Sequence, residues 1–330
     1  MRVLVTGGGG FLGKAIVTQL LEQGHDVCSF SRHLYPQLTQ RGVEQFVGDL
    51  NDPAAVIKAA DGCDAVYHVA AKAGIWGSYD DFYQPNVVGT KNIIQACRRC
   101  AINRLIYTSS PSVVFDGTDM EGIDESVPYP DHFLAYYPQT KAEAEQLVLA
   151  ANDETLATVA LRPHLIWGPE DNHLVPRILE RGRAGALRRI GDRPCLVDTV
   201  YIDNAARAHV LAGDTLAVGS AVAGKVYFVS NDDPLPLWEI VNRILATGDL
   251  PPVEKTISPR LAMVAGTILE TAYRLLRLPG EPRMTRFVAK EMSTAHWFDL
   301  AAAKKDFGYQ PEVSIDEGMT RLQQWLQRET

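Results

Sequence analysis

Thr6-Gly7-Gly8-Gly9-Gly10-Phe11-Leu12-Gly13 is the stretch of sequence that decides the fold. It follows a short apolar run at Val3–Val5, typical of a buried strand, and leads into a pattern typical of an amphipathic helix. In this context Gly7 permits a tight turn, Gly10 lets the backbone approach a pyrophosphate, and Gly13 lets helix and strand pack closely. Free N–H groups at the start of such a helix attract phosphate oxygens. The stretch therefore predicts a dinucleotide-binding turn whose contacts are Gly7, Gly10, Phe11, Leu12 and Gly13.

The rest of the first half repeats the alternation of a short apolar strand with an amphipathic helix. Strands of this kind, rich in Val and Ile and separated by helices, form parallel sheets that are covered on both faces. The fold class is therefore α/β, with a Rossmann-type doubly wound parallel sheet. We predict strands at Val3–Val5, Val27–Phe30, Val43–Val47, Ala65–Val69, Leu105–Thr108 and Val159–Leu161, and helices at Gly13–Gln23, Pro53–Ala60, Val87–Cys100 and Pro138–Ala151.

The regular alternation ends near Gly168, and shorter elements follow it. This change predicts a smaller C-terminal α/β domain that binds the substrate. We place the dinucleotide-binding domain at residues 1–167 and the substrate domain at residues 168–330, and leave open whether the two interleave. The predicted elements are strands at Leu196–Tyr201 and Val226–Ser230, helices at Ile202–Gly213 and Leu237–Ala246, and a last helix after the capping box Ser314-x-x-Glu317.

Charge and cysteine content narrow the classes of function. The 330-residue chain has a net charge of −8 without long runs of one sign, so we expect no nucleic-acid partner. Its five cysteines show no framework spacing, and Cys97-x-x-Cys100 falls inside a predicted helix, so we expect neither a metal nor a redox site. Because the sequence opens directly into a predicted strand at Arg2–Val5, we expect no signal peptide. These features together predict a cytoplasmic protein.

The end of the second strand selects the form of the dinucleotide. An Asp or Glu there would accept a hydrogen bond from the ribose 2′-hydroxyl and select NAD. This sequence instead has Ser29-Phe30-Ser31-Arg32-His33. No carboxylate repels a 2′-phosphate, and Arg32 can pair with that phosphate and lie over the adenine. We therefore expect NADP(H) to bind in preference to NAD(H), with Ser31 and Arg32 at its adenosine end.

Tyr137-Pro138-Gln139-Thr140-Lys141 carries the candidate chemistry. Residues four apart lie on one face of a helix, so Lys141 lies beside Tyr137. An adjacent ammonium group favours the phenolate form, and we expect it to lower the phenol pKa so that Tyr137 exchanges a proton near neutral pH. Ser110, at the end of the fifth strand, is our choice to bind the substrate oxygen, with Ser109 as the second choice. The predicted catalytic residues are Tyr137, Lys141 and Ser110.

These motifs, taken in order, resemble the extended short-chain dehydrogenase/reductase family. The resemblance implies a homodimer formed through Val87–Cys100 and Pro138–Ala151, packed as a four-helix bundle. The shared stretches are Thr6-Gly7-x-x-Gly10-x-x-Gly13, Gly48-Asp49-Leu50, His68-Val69-Ala70-Ala71, Asn86-Val87-Val88-Gly89-Thr90, Tyr107-Thr108-Ser109-Ser110, Tyr137-x-x-x-Lys141 and Leu161-Arg162-Pro163. The implied further cofactor contacts are Asp49 and Leu50 at the adenine, Ala70 and Ala71 beneath the cofactor, Pro163 and Ile166 near the nicotinamide, and also Lys72 and Thr108.

Within that family, the sequence is similar to the 3β-hydroxysteroid dehydrogenase and sterol-decarboxylase branch. More narrowly, it resembles the bacterial 2-alkyl-3-oxoalkanoate reductases of long-chain olefin biosynthesis, at Ala70–Tyr79, Tyr83–Asn86, Asp171–Leu174 and Arg277–Glu281. This resemblance implies NADPH-dependent reduction of a long-chain β-keto acid to a β-hydroxy acid. It also implies pathway partners: a thiolase-like condensing enzyme, a β-lactone synthetase and a β-lactone decarboxylase.

The substrate contacts and two rival functions stay open at this point. We expect Lys72 and Ser110 to bind the polar end of the substrate, and Trp76 and Tyr79 its alkyl chains. The rivals are a 3β-hydroxysteroid-type dehydrogenase and an NADP-sensing regulator without catalysis, although the regulators often lack the catalytic tyrosine. The apolar segment Leu261–Leu278 is too short and too charged to span a bilayer. We expect it to be a core or lid helix; contact with a membrane surface or a partner is the alternative.

Overall fold

The computed structural model describes residues 1–329 of the chain as strands and helices arranged in two lobes. The strands are β1 (Arg2–Thr6), β2 (Asp26–Ser31), β3 (Glu44–Val47), β4 (Ala65–His68), β5 (Arg104–Thr108), β6 (Met120–Ile123), β7 (Ala157–Pro163), β8 (Ile166–Trp167), β9 (Arg189–Ile190), β10 (Leu196–Val197), β11 (Val200–Tyr201), β12 (Lys225–Val229), β13 (Leu235–Pro236), β14 (Thr256–Ile257) and β15 (His296–Phe298).

The helices cover both faces of the main sheet and one side of the second lobe. They are α1 (Phe11–Glu22), α2 (Pro36–Gln40), α3 (Pro53–Ala60), α4 (Tyr79–Tyr83), α5 (Gly89–Arg99), α6 (Tyr136–Ala150), α7 (Leu174–Arg183), α8 (Ile202–Thr215), α9 (Leu237–Thr247), α10 (Pro259–Leu275), α11 (Arg286–Glu291), α12 (Ala301–Phe307) and α13 (Ile315–Glu329). A π-helical turn (Gln84–Val88) lies between α4 and α5, and a 3₁₀ turn (Pro111–Val114) follows β5.

The main sheet confirms the predicted doubly wound architecture. Its seven parallel strands lie in the order β12-β7-β5-β4-β1-β2-β3. Successive side chains of β1 pack on opposite faces, Val3 and Val5 in one apolar layer and Leu4 in the other. The winding reverses between β1 and β4, and in such sheets ligands bind in the crevice at the carboxyl ends of the strands on either side of that point.

The two lobes exchange strands. β12, which lies beyond residue 167, completes the main sheet beside β7. β6, which lies before residue 167, pairs with β15 in a four-stranded sheet of order β13-β10-β15-β6. The division at residue 167 is thus crossed in both directions, and we propose that the substrate domain is interleaved with the dinucleotide-binding domain.

The prediction of a single strand at Leu196–Tyr201 is wrong. Leu196–Val197 joins the second-lobe sheet, whereas Val200–Tyr201 pairs with β8. The break falls at two buried polar residues. The Asp198 N–H donates to the His296 carbonyl over 2.7 Å, and the Thr199 hydroxyl accepts from the Trp167 indole over 3.0 Å. Because these polar groups bind partners on different elements, the chain passes from one sheet to another at this point. The apolar pattern of the sequence continues through the break and therefore did not reveal it.

The helix expected at Val87–Cys100 begins earlier, at Tyr79. Ser78 and Asp81 form a capping box at its start, and the π-helical turn holds Pro85, which has no N–H to donate. A π turn inserts an extra residue into a helix and often lies at a functional site. The first part of this helix is rich in polar residues, so the spacing of its apolar residues did not predict a helix there.

Candidate active site

The glycine loop joins β1 to α1 at the carboxyl edge of the sheet. Gly7 has a φ of +69°, in the left-handed region that favours glycine. A Cβ atom on Gly13 would lie 2.1 Å from the carbonyl oxygen of Gly7, so only glycine lets the helix begin this close to the turn. Gly10 caps α1 without a side-chain hydrogen bond. The first-turn amide groups, including those of Phe11 and Leu12, are therefore available to an anion.

The end of β2 offers groups that fit the adenosine end of a dinucleotide. The Ser31 hydroxyl is buried and has no hydrogen-bond partner within residues 1–329. Arg32, next to it, is exposed and forms no ion pair in this part of the chain. The Tyr35 ring covers the loop, since a Cβ atom on Gly9 would lie 2.1 Å from its Cδ2 atom. A buried hydroxyl without a partner and a free guanidinium suit a ribose and its phosphate.

The loops after β3 and β4 complete the sides of this crevice. Asp49 is exposed, and Leu50 is buried with its carbonyl oxygen held by Asn92. Ala70 packs directly on the glycine loop, its Cα atom 3.1 Å from where a Cβ atom on Gly7 would be. Ala71, one residue on, is exposed. The residues predicted to contact the adenine and the pyrophosphate therefore lie along the carboxyl edge of the sheet.

Tyr137, Lys141 and Ser110 come together at the middle of that edge. Tyr137 and Lys141 lie one turn apart at the start of α6. The Ser110 hydroxyl is close enough to the Tyr137 phenol to lower its pKa. Lys141 is 2 % exposed, and its Nζ donates to the Thr108 carbonyl oxygen over 2.6 Å. These contacts place a phenol, a hydroxyl and an ammonium group around one point.

The ionisation of this group differs from the expectation. Burial raises the pKa of Tyr137 to about 12, although the nearby Ser110 hydroxyl opposes the shift. Burial also lowers the pKa of Lys141 to about 7, and the negative charge of Glu145 opposes that shift. In the protein by itself, desolvation therefore outweighs the expected effect of Lys141 on the phenol. The phenol stays protonated at neutral pH, which is the form that can donate a proton to a carbonyl oxygen.

A buried ion pair anchors α6 against β7. Arg162 donates to Glu145 through two nitrogens, Nε over 3.0 Å and Nη2 over 2.6 Å, and both side chains are almost fully buried. The Tyr129 hydroxyl donates to the same carboxylate over 2.6 Å. Glu145 lies one turn beyond Lys141, so the pair fixes the helix that carries the site. Arg162, quoted in the family resemblance, acts here as a structural partner.

Asn86 links the loop after β4 to the same helix. Its Oδ1 accepts from the Lys72 N–H over 2.7 Å, and its Nδ2 donates to the Lys72 carbonyl and to the Thr140 hydroxyl, each over 3.1 Å. Asn86 belongs to the π-helical turn, which brings its buried amide toward both partners. The turn therefore positions Lys72 relative to α6.

The far end of the crevice carries the residues expected near a nicotinamide. Pro163 ends β7 and is buried, and Ile166 is half-buried after a tight turn. That turn is held by His164, whose N–H donates to the Val229 carbonyl over 3.1 Å. The Thr108 hydroxyl is bound to the His209 ring over 2.9 Å. Thr108 thus reaches the site chiefly through the carbonyl that holds Lys141.

The residues expected to bind substrate differ in their distance from this centre. Lys72 is exposed, and its Nζ lies 5.1 Å from the centre of the Phe82 ring. The Phe82 ring in turn lies 6.4 Å from that of Tyr137. The Tyr79 hydroxyl donates to the Glu143 carboxylate over 2.8 Å. Lys72 therefore lies at the mouth of the cleft, whereas the hydroxyl of Tyr79 is already engaged.

Trp76 connects the cleft to α10. Its ring meets Tyr273 edge-on at 6.1 Å, and the Arg274 guanidinium lies 5.4 Å from it. The helix packs on α11 through Gly266, where a Cβ atom would lie 2.8 Å from the Thr285 carbonyl carbon. Of the expected core or lid positions, the core position is wrong, because the outer face of α10 is open to solvent; the lid stays a prediction. Its exposed apolar residues are Leu261, Val264, Ile268 and Leu275, followed by Leu276 and Leu278.

Among the described residues, 1–329, no helix is both long enough and apolar enough to cross a bilayer.

Two residues near the catalytic group were missed by sequence reasoning. The Ser112 hydroxyl lies 2.9 Å from that of Ser110, and the local Ser-Pro-Ser pattern could have indicated it. Glu291, at the end of α11, is close enough for its charge to raise the pKa of Tyr137. No local pattern points to Glu291, because α11 meets the first lobe only in the folded chain.

Comparisons with known proteins show the family of the chain. The family model "3-beta hydroxysteroid dehydrogenase/isomerase family" matches residues 4–259. The chain is 56 % identical over 324 residues to the 2-alkyl-3-oxoalkanoate reductase of Stenotrophomonas maltophilia, covering 98 % of each chain. It is 36 % identical over 331 residues to the decarboxylating sterol-4-alpha-carboxylate 3-dehydrogenase of Mus musculus, covering 98 % of this chain and 90 % of that one.

A solved structure shows the same fold at lower identity. The NAD complex of a Thermus thermophilus UDP-glucose 4-epimerase superposes with a TM-score of 0.75 over 100 % of both chains, at 23 % identity. The family model spans the glycine loop, the Tyr137/Lys141 helix and the second lobe as far as residue 259, and the reductase and dehydrogenase relatives match almost end to end. The chain belongs to the 3-beta hydroxysteroid dehydrogenase/isomerase family and is a nicotinamide-dependent oxidoreductase.

Proposed function

We propose that the protein reduces a long-chain 2-alkyl-3-oxoalkanoate, a β-keto acid, to the 2-alkyl-3-hydroxyalkanoate with NADPH, in bacterial olefin biosynthesis. The observation that carries the proposal is the likeness, along nearly the whole chain, to a protein named for that reduction. The cleft supports it, because Ser110, Tyr137 and Lys141 meet at one point. The pathway follows from the resemblance alone.

Each catalytic residue of the cleft has a separate role in the reduction of a ketone. A bound nicotinamide dinucleotide supplies the hydride. Tyr137 donates its proton to the ketone oxygen as that oxygen gains negative charge, and Ser110 donates a hydrogen bond to the same oxygen. Lys141 would hold the nicotinamide ribose, and its positive charge would lower the phenol pKa. The apolar surroundings exclude water and strengthen each of these interactions.

NADP(H) is the proposed cofactor in preference to NAD(H). The support is the unpaired guanidinium of Arg32 beside the unpartnered hydroxyl of Ser31. A 2′-phosphate would accept charge-assisted hydrogen bonds from that guanidinium, and no carboxylate at the end of β2 would repel it. The other proposed cofactor contacts are those of the glycine loop and of Asp49, Leu50, Ala70, Ala71, Lys72, Thr108, Pro163 and Ile166.

A substrate panel tests the reaction. The purified protein is supplied with NADPH and with a long-chain 3-oxo acid, a simple ketone or a 3-oxosteroid, and loss of NADPH absorbance is followed. We expect the oxo acid to react fastest. Turnover of steroids alone would identify the 3β-hydroxysteroid-type alternative, which the family name favours. Tight NADPH binding without turnover of any ketone would identify a cofactor-sensing regulator.

Assembly is proposed as a homodimer through α5 and α6, in a reducing cytoplasm, with contact to other enzymes of the olefin pathway. The two helices carry the half-buried apolar residues Ile94 and Leu147, which suit a four-helix contact with a second copy. The cysteines within residues 1–329 are all free, which suits a reducing compartment. Sedimentation at micromolar concentration tests the dimer, and a monomer would contradict it.

The outer face of α10 is proposed to rest on an anionic bilayer, which supplies the long-chain substrate. Between residues 259 and 278 the exposed charged side chains are Arg260, Arg274 and Arg277, whereas Glu270 is buried and paired with Arg286. Apolar residues ringed by arginines are typical of an interfacial helix. Flotation with phosphatidylglycerol vesicles tests this: Ile268→Glu should abolish binding, neutral phosphatidylcholine vesicles should bind weakly, and equal binding of the variant would contradict the proposal.

A further inference from the structure

Two cysteine thiols meet inside the first lobe. The Sγ atom of Cys28, in β2, lies 3.6 Å from that of Cys63, in the loop between α3 and β4. Both side chains are buried, and each Sγ atom also lies within 3.9 Å of the Ala59 carbonyl oxygen near the end of α3. The two sulfur atoms are therefore in contact, although both cysteines are free. They are 35 positions apart, so no local spacing in the sequence indicated them.

A guanidinium group lies beside this pair. Arg2 begins β1 two residues before the position paired with Cys28, so their side chains share one face of the sheet. The Arg2 Nη2 atom donates to Glu44 over 2.5 Å, and Glu44 is paired with Cys28 from the other side. The Arg2 side chain thus crosses β2 next to Cys28, and its Nε atom is buried without a hydrogen-bond partner within residues 1–329. The Arg2 N–H donates to Asp64 over 2.7 Å, which places the strand next to Cys63 as well.

We propose that Cys28 and Cys63 form a reversible dithiol–disulfide site that is oxidised by hydroperoxides. A cation beside a thiol stabilises the thiolate, which is the nucleophilic form, and Arg2 supplies that cation. A disulfide in a reducing compartment is usually transient or redox-sensing, and two free thiols in contact suit such a role. A disulfide bond is about 2.05 Å long, so the two sulfur atoms need to approach by about 1.5 Å.

The surroundings give the two thiols different roles. Cys63 lies in a surface loop whose neighbours Gly62 and Asp64 are exposed, so a molecule as small as hydrogen peroxide reaches it first. The hydrogen bond from Cys28 lowers the pKa of the Cys63 thiol, burial opposes that shift, and the positive charge of Arg2 adds to the lowering. The same hydrogen bond, together with burial, raises the pKa of Cys28. Cys63 is therefore the attacking group, and Cys28 is the thiol that closes the disulfide.

The oxidation takes two steps. The Cys63 thiolate attacks one oxygen of hydrogen peroxide and becomes a sulfenic acid, while the O–O bond breaks and the other oxygen leaves as hydroxide, which takes up a proton to become water. The Cys28 sulfur then attacks the sulfenic sulfur, so that the S–S bond forms and the S–O bond breaks, releasing a second water that carries the Cys28 proton. Two thiols lose two electrons and two protons, and one peroxide is reduced to two waters. A small dithiol reverses the oxidation by disulfide exchange.

Peptide mapping of the wild-type protein tests the site. The full-length, reduced protein is treated with hydrogen peroxide, the remaining thiols are blocked with N-ethylmaleimide in denaturant, and the tryptic peptides are weighed without reduction. Trypsin places Cys28 in peptide 15–32 and Cys63 in peptide 59–72, and each peptide holds one cysteine. We expect these two peptides to be joined, two hydrogens lighter than their sum, and to separate after treatment with dithiothreitol. Circular dichroism before blocking shows that the protein is folded when the bond forms.

Variants test the assigned roles. After peroxide treatment, Cys28→Ser should leave on Cys63 a sulfenic acid that dimedone traps, whereas Cys63→Ser should leave the Cys28 thiol reduced. Arg2→Met should slow disulfide formation roughly tenfold, the effect of one pKa unit on the ionised fraction. Glu44→Gln removes the ion pair and keeps the guanidinium, so its rate should stay within about threefold of wild type. Cys195→Ser, which alters a buried thiol outside this pair, should change nothing.

Three results would overturn the inference. They are full alkylation of peptides 15–32 and 59–72 after peroxide treatment, a disulfide that joins Cys97 or Cys100 instead, and a bond that forms only in the denatured protein. Equal rates for Arg2→Met and wild type would overturn the role of the guanidinium. The readout does not depend on ketone reduction, because the pair lies toward the amino ends of the strands, whereas the glycine loop lies at their carboxyl ends.

Discussion

Replacing Tyr137 with Phe tests the proposed chemistry most directly, because the change removes one oxygen and keeps the ring. The ring would still contact Phe82, which lies 6.4 Å away. Ser110 would keep its hydrogen bond to Ser112 over 2.9 Å, so no buried group loses its only partner. We therefore expect the free energy of unfolding to change by less than about 1 kcal/mol.

The expected loss of activity is much larger. A positioned general acid contributes roughly 10²–10⁴ in rate, which corresponds to about 3–5 kcal/mol of transition-state stabilisation. We expect kcat of Tyr137→Phe to fall by that factor while NADPH still binds. The assay is NADPH absorbance with a long-chain 3-oxo acid, and NADPH fluorescence measures binding separately.

The neighbouring Tyr136 provides a matched control. Its side chain is 40 % exposed, and its ring meets that of Tyr79 outside the catalytic group. Tyr136→Phe should keep wild-type kcat. If Tyr137→Phe binds NADPH and retains more than about a tenth of wild-type kcat, Tyr137 is not the proton donor, because the loss is then far below the contribution of a general acid.

Three further changes test the cofactor site, the fold and the lysine. Arg32→Ala should lower the preference for NADP⁺ over NAD⁺ by about tenfold or more, measured by titrating both; equal weakening of the two would show that Arg32 is only structural. Arg162→Met leaves Glu145 charged and buried, so the free energy of unfolding in a denaturant titration should fall by about 3–5 kcal/mol, and the double change with Glu145→Leu should restore most of it. Lys141 has a pKa of about 7 in the folded protein and an ordinary value of 10.5 when unfolded. Between these values the unfolded chain binds the extra proton, so the stability of the wild type should rise with pH relative to Lys141→Met; a constant difference from pH 7 to 10 would contradict the shift.

The local motifs were predictable because their geometry is set by neighbours in the chain. The glycine loop needs a glycine where φ is positive and where the helix starts against the turn, and both requirements act within a few residues. The spacing of Tyr137 and Lys141 places both on one face of a helix whatever surrounds it. The alternation of short apolar strands with helices predicted a parallel sheet. The observed seven-stranded sheet confirms the predicted α/β class.

Other features were decided only by the tertiary structure. The break between Leu196–Val197 and Val200–Tyr201 depends on partners supplied by other strands. The pKa of Tyr137 depends on how completely the folded chain removes water from it, and spacing to Lys141 carries no such information. Glu291, which raises the pKa of Tyr137, is far from it along the chain and is brought nearer only by the packing of α11. Local geometry thus determined the glycine loop, the helix face that carries Tyr137 and Lys141, and the fold class. Desolvation and long-range contacts decided the pKa of Tyr137 and which other residues lie near it.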